Sequence, residues 1–227
     1  MALIFHFHPL ASFCHKVLLA LYENGTPFEG RVVDLADPVS SAELFALWPV
    51  GKIPVLRDDA RGRTVAETSI IIEYLDRQYP GAVRLIPADP DQALQVRLWD
   101  RFYDLYVNTP MGKMVTDRLR PAGYADPHGV EEARATLRTA YGMIERQMAE
   151  AGPWAAGAGF SMADCAAAPA LFYAGVVEPF GPDHSRVAAY FERLLERPAF
   201  RRTLREAKPY FGNFPMRADM PARFLEL

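Results

Sequence analysis

Residues 48–69 read WPVGKIPVLRDDARGRTVAETS, and the rest of the chain is organised around this stretch. At its centre, Pro54 directly precedes a short apolar run. Proline has no N–H to give to a sheet ladder, so we expect Pro54 just before a strand rather than inside one. The Ile53–Pro54 bond is a candidate for the cis form, which is accessible at low cost only before proline. A cis turn there would leave the amide and carbonyl of Ile53 facing outward, where they could pair with an extended peptide.

The end of the same stretch predicts a helix start. Glu67 and Thr68 open the apolar run SIIIEYL, and a threonine hydroxyl at that point can cap a helix. The free amides of a helix N-terminus attract a carboxylate, and the charge of Glu67 attracts an ammonium. One loop thus offers backbone pairing and both poles of an amino-acid zwitterion, which predicts a site for a small peptide.

Composition sets the broad class of the chain. Its 227 residues are 50% hydrophobic and carry a net charge of −3, which is typical of a globular protein with one large or two small domains. There is no basic run to favour nucleic acid, and no apolar run reaches the roughly 18 residues that span a bilayer. The first residues lack the pattern of a secretory signal, so we expect a cytoplasmic protein.

The first 80 residues alternate between strand and helix patterns. Leu3–His8 reads as a strand, and a helix follows Ala11-Ser12 and stops near Gly25. Later segments predict strands over 29–33, 55–57 and 64–66, and helices over 40–47 and from Thr68 to about Pro80. The order β-α-β-α-β-β-α predicts a mixed sheet with helices.

Beyond residue 80 the pattern changes to helix throughout. Prolines interrupt residues 81–90, which we interpret as a linker between domains at 1–80 and 91–227. Pro110 follows a long amphipathic segment and is expected to bend that helix rather than end it. Ser161 and Asp164 have the spacing of a capping box, which indicates a structural role at a helix start.

Metal binding is not expected. His6 and His8 lie on the same face of the first strand, but the sequence places no third ligand near them. The two cysteines, Cys14 and Cys165, are far apart and form neither a metal pattern nor a disulfide framework.

Four blocks together carry a family resemblance: SFCHKVLLAL (12–21), WPVGKIPVL (48–56), AETSIIIEYL (66–75) and FSMADCAAAPAL (160–171). With these blocks in this order, the chain resembles the cytosolic glutathione S-transferases, of a bacterial type whose subclass stays open. The resemblance implies a thioredoxin-like N-terminal α/β domain, an all-α C-terminal domain and a homodimer. It also implies detoxification chemistry, with glutathione as co-substrate and a small hydrophobic electrophile as the second substrate.

The resemblance assigns the parts of glutathione to residues of the central stretch. The Ile53 backbone, beside Pro54, is expected to hold the cysteinyl part. Glu67 and Thr68 are expected to bind the γ-glutamyl end. Lys52 either faces the glycyl carboxylate or is a solvated lysine.

The group that activates the thiol is less clear. Serine-type and cysteine-type members place their active residue three positions before Cys14, and here that position is Ala11. Ser12 is the next candidate, either as partner of the thiolate or as the N-cap of the helix. Cys14 shares a stripe with two leucines, so it is either a core residue or the nucleophile of a reductase, and His15 is expected to face outward.

By the same resemblance the electrophile pocket lies between the domains. Tyr103, Tyr106 and Met111, with Met114, are candidates to line it, and Phe211 and Phe214 are candidates for a lid. Three functions remain open at this point: a glutathione transferase, a glutathione-dependent thiol reductase or peroxidase that uses Cys14, and a non-catalytic glutathione-binding module.

Overall fold

A computed structural model describes residues 3–226 of the chain. The N-terminal elements are β1 (Leu3–Phe7), α1 (Ser12–Glu23), β2 (Glu29–Val32), α2 (Pro38–Leu47), β3 (Val55–Asp58), β4 (Arg63–Ala66) and α3 (Thr68–Gln78). The strands form one sheet in the order β2-β1-β3-β4, with β1 parallel to β2 and antiparallel to β3. The predicted β-α-β-α-β-β-α domain is therefore confirmed.

Apolar side chains on the central strands explain the layering. Phe5 of β1 and Leu56 of β3 are fully buried in the main core together with α1 and α3. A second, smaller cluster of Val33, Leu44 and Val55 lies between α2 and the sheet. Helices thus cover the sheet through two separate cores, and the loop before β3 emerges beside them.

The C-terminal part is helical. Its helices are α4 (Pro90–Phe102), α5 (Thr109–Asp117), α6 (Pro127–Glu150), α7 (Met162–Val177), α8 (Ser185–Leu195), α9 (Pro198–Ala207) and α10 (Ala222–Leu225). Between residues 3 and 226, every helix is too short or too polar to cross a bilayer.

Helix α7 runs through the centre of this part, and nearly all its residues are buried. The predicted capping box is present at its start, where Asp164 accepts hydrogen bonds from the backbone N–H of Ser161 and from that of Ala155, both at 2.8 Å. The hydroxyl of Tyr190 donates to the same carboxylate at 2.6 Å. Asp164 therefore acts as a structural anchor, as the sequence predicts.

The long helix that starts at α4 bends before Pro110, also as predicted. A π-helical segment, Tyr103–Asn108, joins α4 to α5, and Pro110 lies in the first turn of α5. A π-helix widens the backbone turn, and such segments are frequent at functional sites. The bend brings the side chain of Asn108 toward the start of α1.

Candidate functional site

A cavity of about 380 Å³ opens between the N-terminal loops and the bent helix. The residues that line it are Phe13, Trp48, Val50, Lys52, Ile53, Pro54, Glu67, Thr68, Arg101, Asp104, Leu105 and Thr109. All five residues predicted to bind glutathione are among them, so the structure brings together residues from both ends of the central stretch.

The loop before β3 has the geometry expected from the sequence. The Ile53–Pro54 peptide bond is cis, and β3 begins only at Val55. Ile53 therefore lies before the ladder, with Pro54 buried behind it and Lys52 exposed at the cavity edge. Ile53 thus lines the cavity from a position outside the strand.

Glu67 has an unusual backbone conformation. Its φ is +67°, the one positive value for a non-glycine residue between residues 3 and 226. Such a conformation costs of order 1–3 kcal/mol and is found most often at functional sites. It turns the chain from β4 into α3 and holds the exposed Glu67 at the wall of the cavity.

The start of α3 is open to a ligand, although not in the way the sequence suggested. Glu67 occupies the N-cap position and Thr68 is the first helical residue, so the threonine does not cap the helix. The first helical hydrogen bond runs from Ile71 N–H to Glu67 O at 2.8 Å. In the described part of the chain no side chain caps α3, which leaves its first amides available for a carboxylate.

A buried ionic cluster lies under this end of the cavity. The ammonium of Lys16 is 2.7 Å from a carboxylate oxygen of Asp100 and 2.7 Å from one of Asp104. Ser69 accepts from Lys16 at 3.0 Å and donates to Asp100 at 2.6 Å. Burial raises the pKa of Asp104, while the adjacent Lys16 opposes that shift. The cluster fixes α1, α3 and α4 relative to one another directly behind Thr68.

Helix α1 also begins beside the cleft without a side-chain cap. Ala11 occupies its N-cap position, and its carbonyl accepts from the backbone N–H of His15 at 3.1 Å. The Ser12 hydroxyl donates instead to Oδ1 of Asn108 at 2.7 Å. The alternative that Ser12 is the helix N-cap is therefore wrong.

Cys14 and His15 both lie in the core. Burial raises the pKa of the Cys14 thiol to about 12, so the thiolate form is strongly disfavoured. The expectation that His15 faces outward is wrong, because its side chain is fully buried. Its Nε2 donates to the carbonyl of Pro9 at 2.5 Å, and burial lowers its pKa to about 4.

A second, more apolar cavity of about 440 Å³ adjoins the first. Met111, one of the predicted electrophile contacts, lines it together with Leu10, Val115, Tyr173 and Phe214. Phe13 and Thr109 border both cavities, so the two spaces meet at the start of α1.

Two residues that were predicted to line the electrophile pocket lie outside both cavities. Tyr103 is fully buried inside the helical part, next to Tyr190 and Asp164. Tyr106 is half exposed and borders a different groove, which lies against α6. The resemblance assigned both tyrosines to the electrophile pocket, and neither lines the first or the second cavity.

Several functional candidates escaped the sequence reasoning. Asn108, Asp104 and Phe13 reach the cleft only because the bent helix crosses the start of α1. A signal for the cluster was available: a lysine within the apolar run of α1, together with two acids four residues apart, at 100 and 104.

Metal ligands do not converge in the part of the chain that the structure describes: residues 3–226 contain no group of three or more His, Cys, Asp or Glu side chains placed to hold a metal ion.

Two family models match the chain. Residues 11–78 match the glutathione S-transferase N-terminal domain, and residues 127–193 match the glutathione S-transferase C-terminal domain. Together these matches span more than half of the chain, and the first of them includes the N-terminal residues that line the first cavity.

The curated relatives carry different names. Glutathione S-transferase U10 of Arabidopsis thaliana is 35% identical over 60% of this chain, although the match spans only 55% of the plant protein's own length. A stringent starvation protein A homolog of Pasteurella multocida is 30% identical, with 87% of each chain covered. FtsZ-localized protein A of Caulobacter vibrioides is 30% identical, with 90% of this chain and 91% of the other covered.

Solved structures share the fold. A glutathione S-transferase from Methylobacillus flagellatus with glutathione bound has a TM-score of 0.80 at 24% identity, covering 89% of this chain and 98% of the other. One from Methylobacterium radiotolerans, in complex with glutathione sulfonate, has a TM-score of 0.76 at 26% identity, covering 89% and 94%.

Proposed function

Because this chain belongs to the glutathione S-transferase family, we propose that it binds glutathione in the first cavity and transfers its thiolate to a small electrophile in the second. The observation that carries the proposal is the convergence of Ile53, the strained Glu67 and the uncapped start of α3 on one cavity. These features match the extended backbone, the ammonium and the carboxylate of a γ-glutamyl peptide.

The proposed roles follow from the chemistry of each group. The Ile53 backbone pairs with the cysteinyl residue, Glu67 faces the γ-glutamyl ammonium, and the amides of Thr68 and the next residues receive the γ-glutamyl carboxylate. Lys52, at the opposite edge of the cavity, receives the glycyl carboxylate. Met111 and the apolar wall around it hold the electrophile where the two cavities meet.

The reaction needs the thiolate form of glutathione. A thiol with a pKa of about 8.5 is only a few per cent ionised at neutral pH, and lowering its pKa by two units requires roughly 2.7 kcal/mol. A hydroxyl hydrogen bond to the anion contributes about 1.5–3 kcal/mol, and the dipole of α1 about 0.3–1 kcal/mol. Although Ala11 offers no hydroxyl, Ser12 and the first amides of α1 would together contribute about 1.8–4 kcal/mol, a range that includes the required amount, once the Ser12 hydrogen is released from Asn108.

Calorimetric titration with glutathione tests binding, and a panel of chloroaromatic and epoxide electrophiles tests transfer. We expect saturable binding with one site per chain and formation of the thioether product. Absence of heat and of any protection against thermal unfolding by glutathione would refute the proposal.

A second candidate function is a glutathione-binding protein without transferase activity. Ala11 favours it, since the hydroxyl usual in serine-type members is missing. It is also supported by two relatives matched over most of their length that are named as a starvation protein and an FtsZ-localized protein. If the natural protein binds glutathione but turns over no electrophile while Ala11→Ser does, this second function is the correct one.

The buried Cys14 does not favour the thiol reductase or peroxidase. Its sulfur is inaccessible and its pKa is raised to about 12, whereas a nucleophilic cysteine needs an exposed, low-pKa thiol. We further propose that the protein works in the cytoplasm as a homodimer.

A further inference from the structure

We propose that Asn108 is a positioning residue that turns the Ser12 hydroxyl toward the sulfur of bound glutathione. This inference rests on the proposed function and adds the element that could replace the hydroxyl missing at Ala11. In the structure the Ser12 hydroxyl already donates its hydrogen to Asn108, so this hydrogen must be released before it can bind the sulfur.

The geometry joins two distant parts of the chain. The Ser12 hydroxyl, at the start of α1, donates to Oδ1 of Asn108, at the end of the π-helix, over 2.7 Å. Asn108 is only 5% exposed, and both residues border the apolar cavity. The pair therefore lies at the wall of the space where the electrophile is proposed to bind.

The number of hydrogens available on Ser12 and Asn108 limits which hydrogen bonds the pair can form at one time. A serine hydroxyl has one hydrogen, so Ser12 cannot donate to a sulfur while it donates to Asn108. An asparagine side chain carries both an acceptor oxygen and a donor NH₂ group. When the Asn108 amide is reversed, its Nδ2–H donates to the Ser12 oxygen, and the Ser12 hydrogen becomes free for the thiolate.

The exchange needs no change of charge in the protein. In both orientations one hydrogen bond joins Ser12 to Asn108, and the proton of the glutathione thiol leaves to solvent. In the reversed orientation, the bond that Ser12 receives also strengthens the one it gives, because hydrogen bonds in a chain polarise one another. Phe13 and Thr109, the chain neighbours of this pair, border both cavities, so Ser12 and Asn108 lie where the two spaces meet. The proposed exchange requires the thiol of the bound peptide to reach this junction.

A merely structural role is the alternative. In that case the bond only ties the π-helix to α1, and Ser12 never donates to the ligand. The positioning role and the structural role of Asn108 predict different results when Asn108 is substituted. Only in the positioning role does the Asn108 substitution change the effect of Ser12→Ala on the pKa of bound glutathione. This dependence can be measured by ultraviolet absorbance of the thiolate as a function of pH, with glutathione affinity followed separately by calorimetry.

Asn108→Asp provides the sharpest test, because a carboxylate can only accept and holds the Ser12 hydroxyl away from the sulfur. We expect Ser12→Ala to raise the pKa of bound glutathione by about one to two units in the wild-type chain, the size of one hydrogen bond to an anion. In the Asn108→Asp chain, Ser12→Ala should cause no further rise. Asn213→Asp is the matched control: it adds the same charge at the border of the same cavity and should leave the Ser12 effect intact.

Two results would overturn the inference. If Ser12→Ala has the same effect in both backgrounds, Asn108 does not control the hydroxyl. If Ser12→Ala has no effect in the wild-type chain, Ser12 is not the donor, while normal calorimetric binding would leave glutathione binding intact. Should Asn108→Asp fail to fold, Asn108→Leu is used: it should raise the thiol pKa by about 0.1–0.6 unit through loss of the polarising bond, and an unchanged or lower value contradicts the inference.

Discussion

Glu67 combines two features that a purely structural residue would not need, a positive φ and an exposed charge at the wall of a cavity. We expect Glu67→Ala to weaken glutathione binding by about 1.5–3 kcal/mol, tenfold or more in Kd, because a hydrogen bond to a charged group is lost. Calorimetry of the folded variant measures the loss, with Glu131→Ala on α6 as a control for removing an exposed glutamate.

Glu67→Gly separates binding from backbone strain. Glycine adopts a positive φ without steric cost, so this variant should melt at a higher temperature than the wild type. Its glutathione affinity should nevertheless fall as far as that of Glu67→Ala. Unchanged affinity in both variants would remove the ammonium role proposed for Glu67.

His15 makes folding sensitive to mild acid. Burial lowers its pKa to about 4 in the folded protein, against 6.5 in the unfolded chain. As the pH falls from 6.5 toward 4, the unfolded chain takes up a proton that the folded protein excludes, so the free energy of unfolding falls, by about 3 kcal/mol at most. His15→Gln keeps a donor for the Pro9 carbonyl and should abolish this part of the pH dependence.

Urea unfolding between pH 7 and pH 4.5 checks the His15 prediction. His128→Gln is the control, since His128 is exposed and should not alter the slope. The prediction is wrong if wild type and His15→Gln lose stability in parallel over this range.

For single residues, the sequence predicted the environment only where the neighbouring residues in space are also close in the chain. Lys52, Ile53, Pro54, Glu67 and Thr68 lie within one short stretch, and the structure gathers all of them at one cavity. The environment of Ser12 was not accessible in this way, because its hydrogen-bond partner is 96 positions away in the chain.

The sequence predicted the order and the type of the secondary-structure elements better than the residues at which the helices begin. Helix α2 begins at Pro38 rather than at the predicted residue 40, and α6 likewise begins at a proline, Pro127. In both cases proline occupies the first turn, where its missing N–H costs nothing, and the preceding aspartate caps the helix. The π-helix had no signal in the hydrophobic periodicity of the sequence.

The ionic cluster under the cavity is expected to decide how firmly α1, α3 and α4 hold together. Lys16→Met removes the buried ammonium and leaves the two carboxylates with the half-exposed Arg101 as their cationic partner, which should destabilise the protein by about 3 kcal/mol, the low end of the range for breaking a buried pair. Lys113→Met is the control, because Lys113 forms only exposed pairs worth about 0–1 kcal/mol. Thermal or urea unfolding measures both variants.

Neutralising the carboxylates provides the counterpart of that experiment. Adding Asp100→Asn and Asp104→Asn to Lys16→Met should restore much of the lost stability, because the buried negative charges, which Arg101 alone compensates only in part, are then removed. If Lys16→Met costs no more than Lys113→Met, the cluster does not hold the three helices together.

At the scale of the whole molecule, the site depends on both parts of the chain. The N-terminal loops provide Ile53 and Glu67, while the bent helix provides Asp104, Asn108 and Met111. The loop alone could be predicted as a peptide site from its chemistry. The second wall could not, because it depends on how a helix of the other domain crosses α1.

The surface of the same bent helix predicts the oligomeric state. Leu94 and Leu98 lie four residues apart on α4 and are more than half exposed, and Ile70 of α3 is exposed to a similar degree. Contiguous exposed apolar residues of this kind mark an interaction surface, and a second copy of the chain would bury them in a two-fold dimer. We therefore expect light scattering at micromolar concentration to show a homodimer.

Leu98→Glu should convert this homodimer to a monomer, because the dimer would bury an unpaired charge on each copy. Val39→Glu, at an equally exposed site on α2, should leave the dimer intact. A wild-type monomer, or equal effects of the two substitutions, would show that this face of α4 is not the dimer interface.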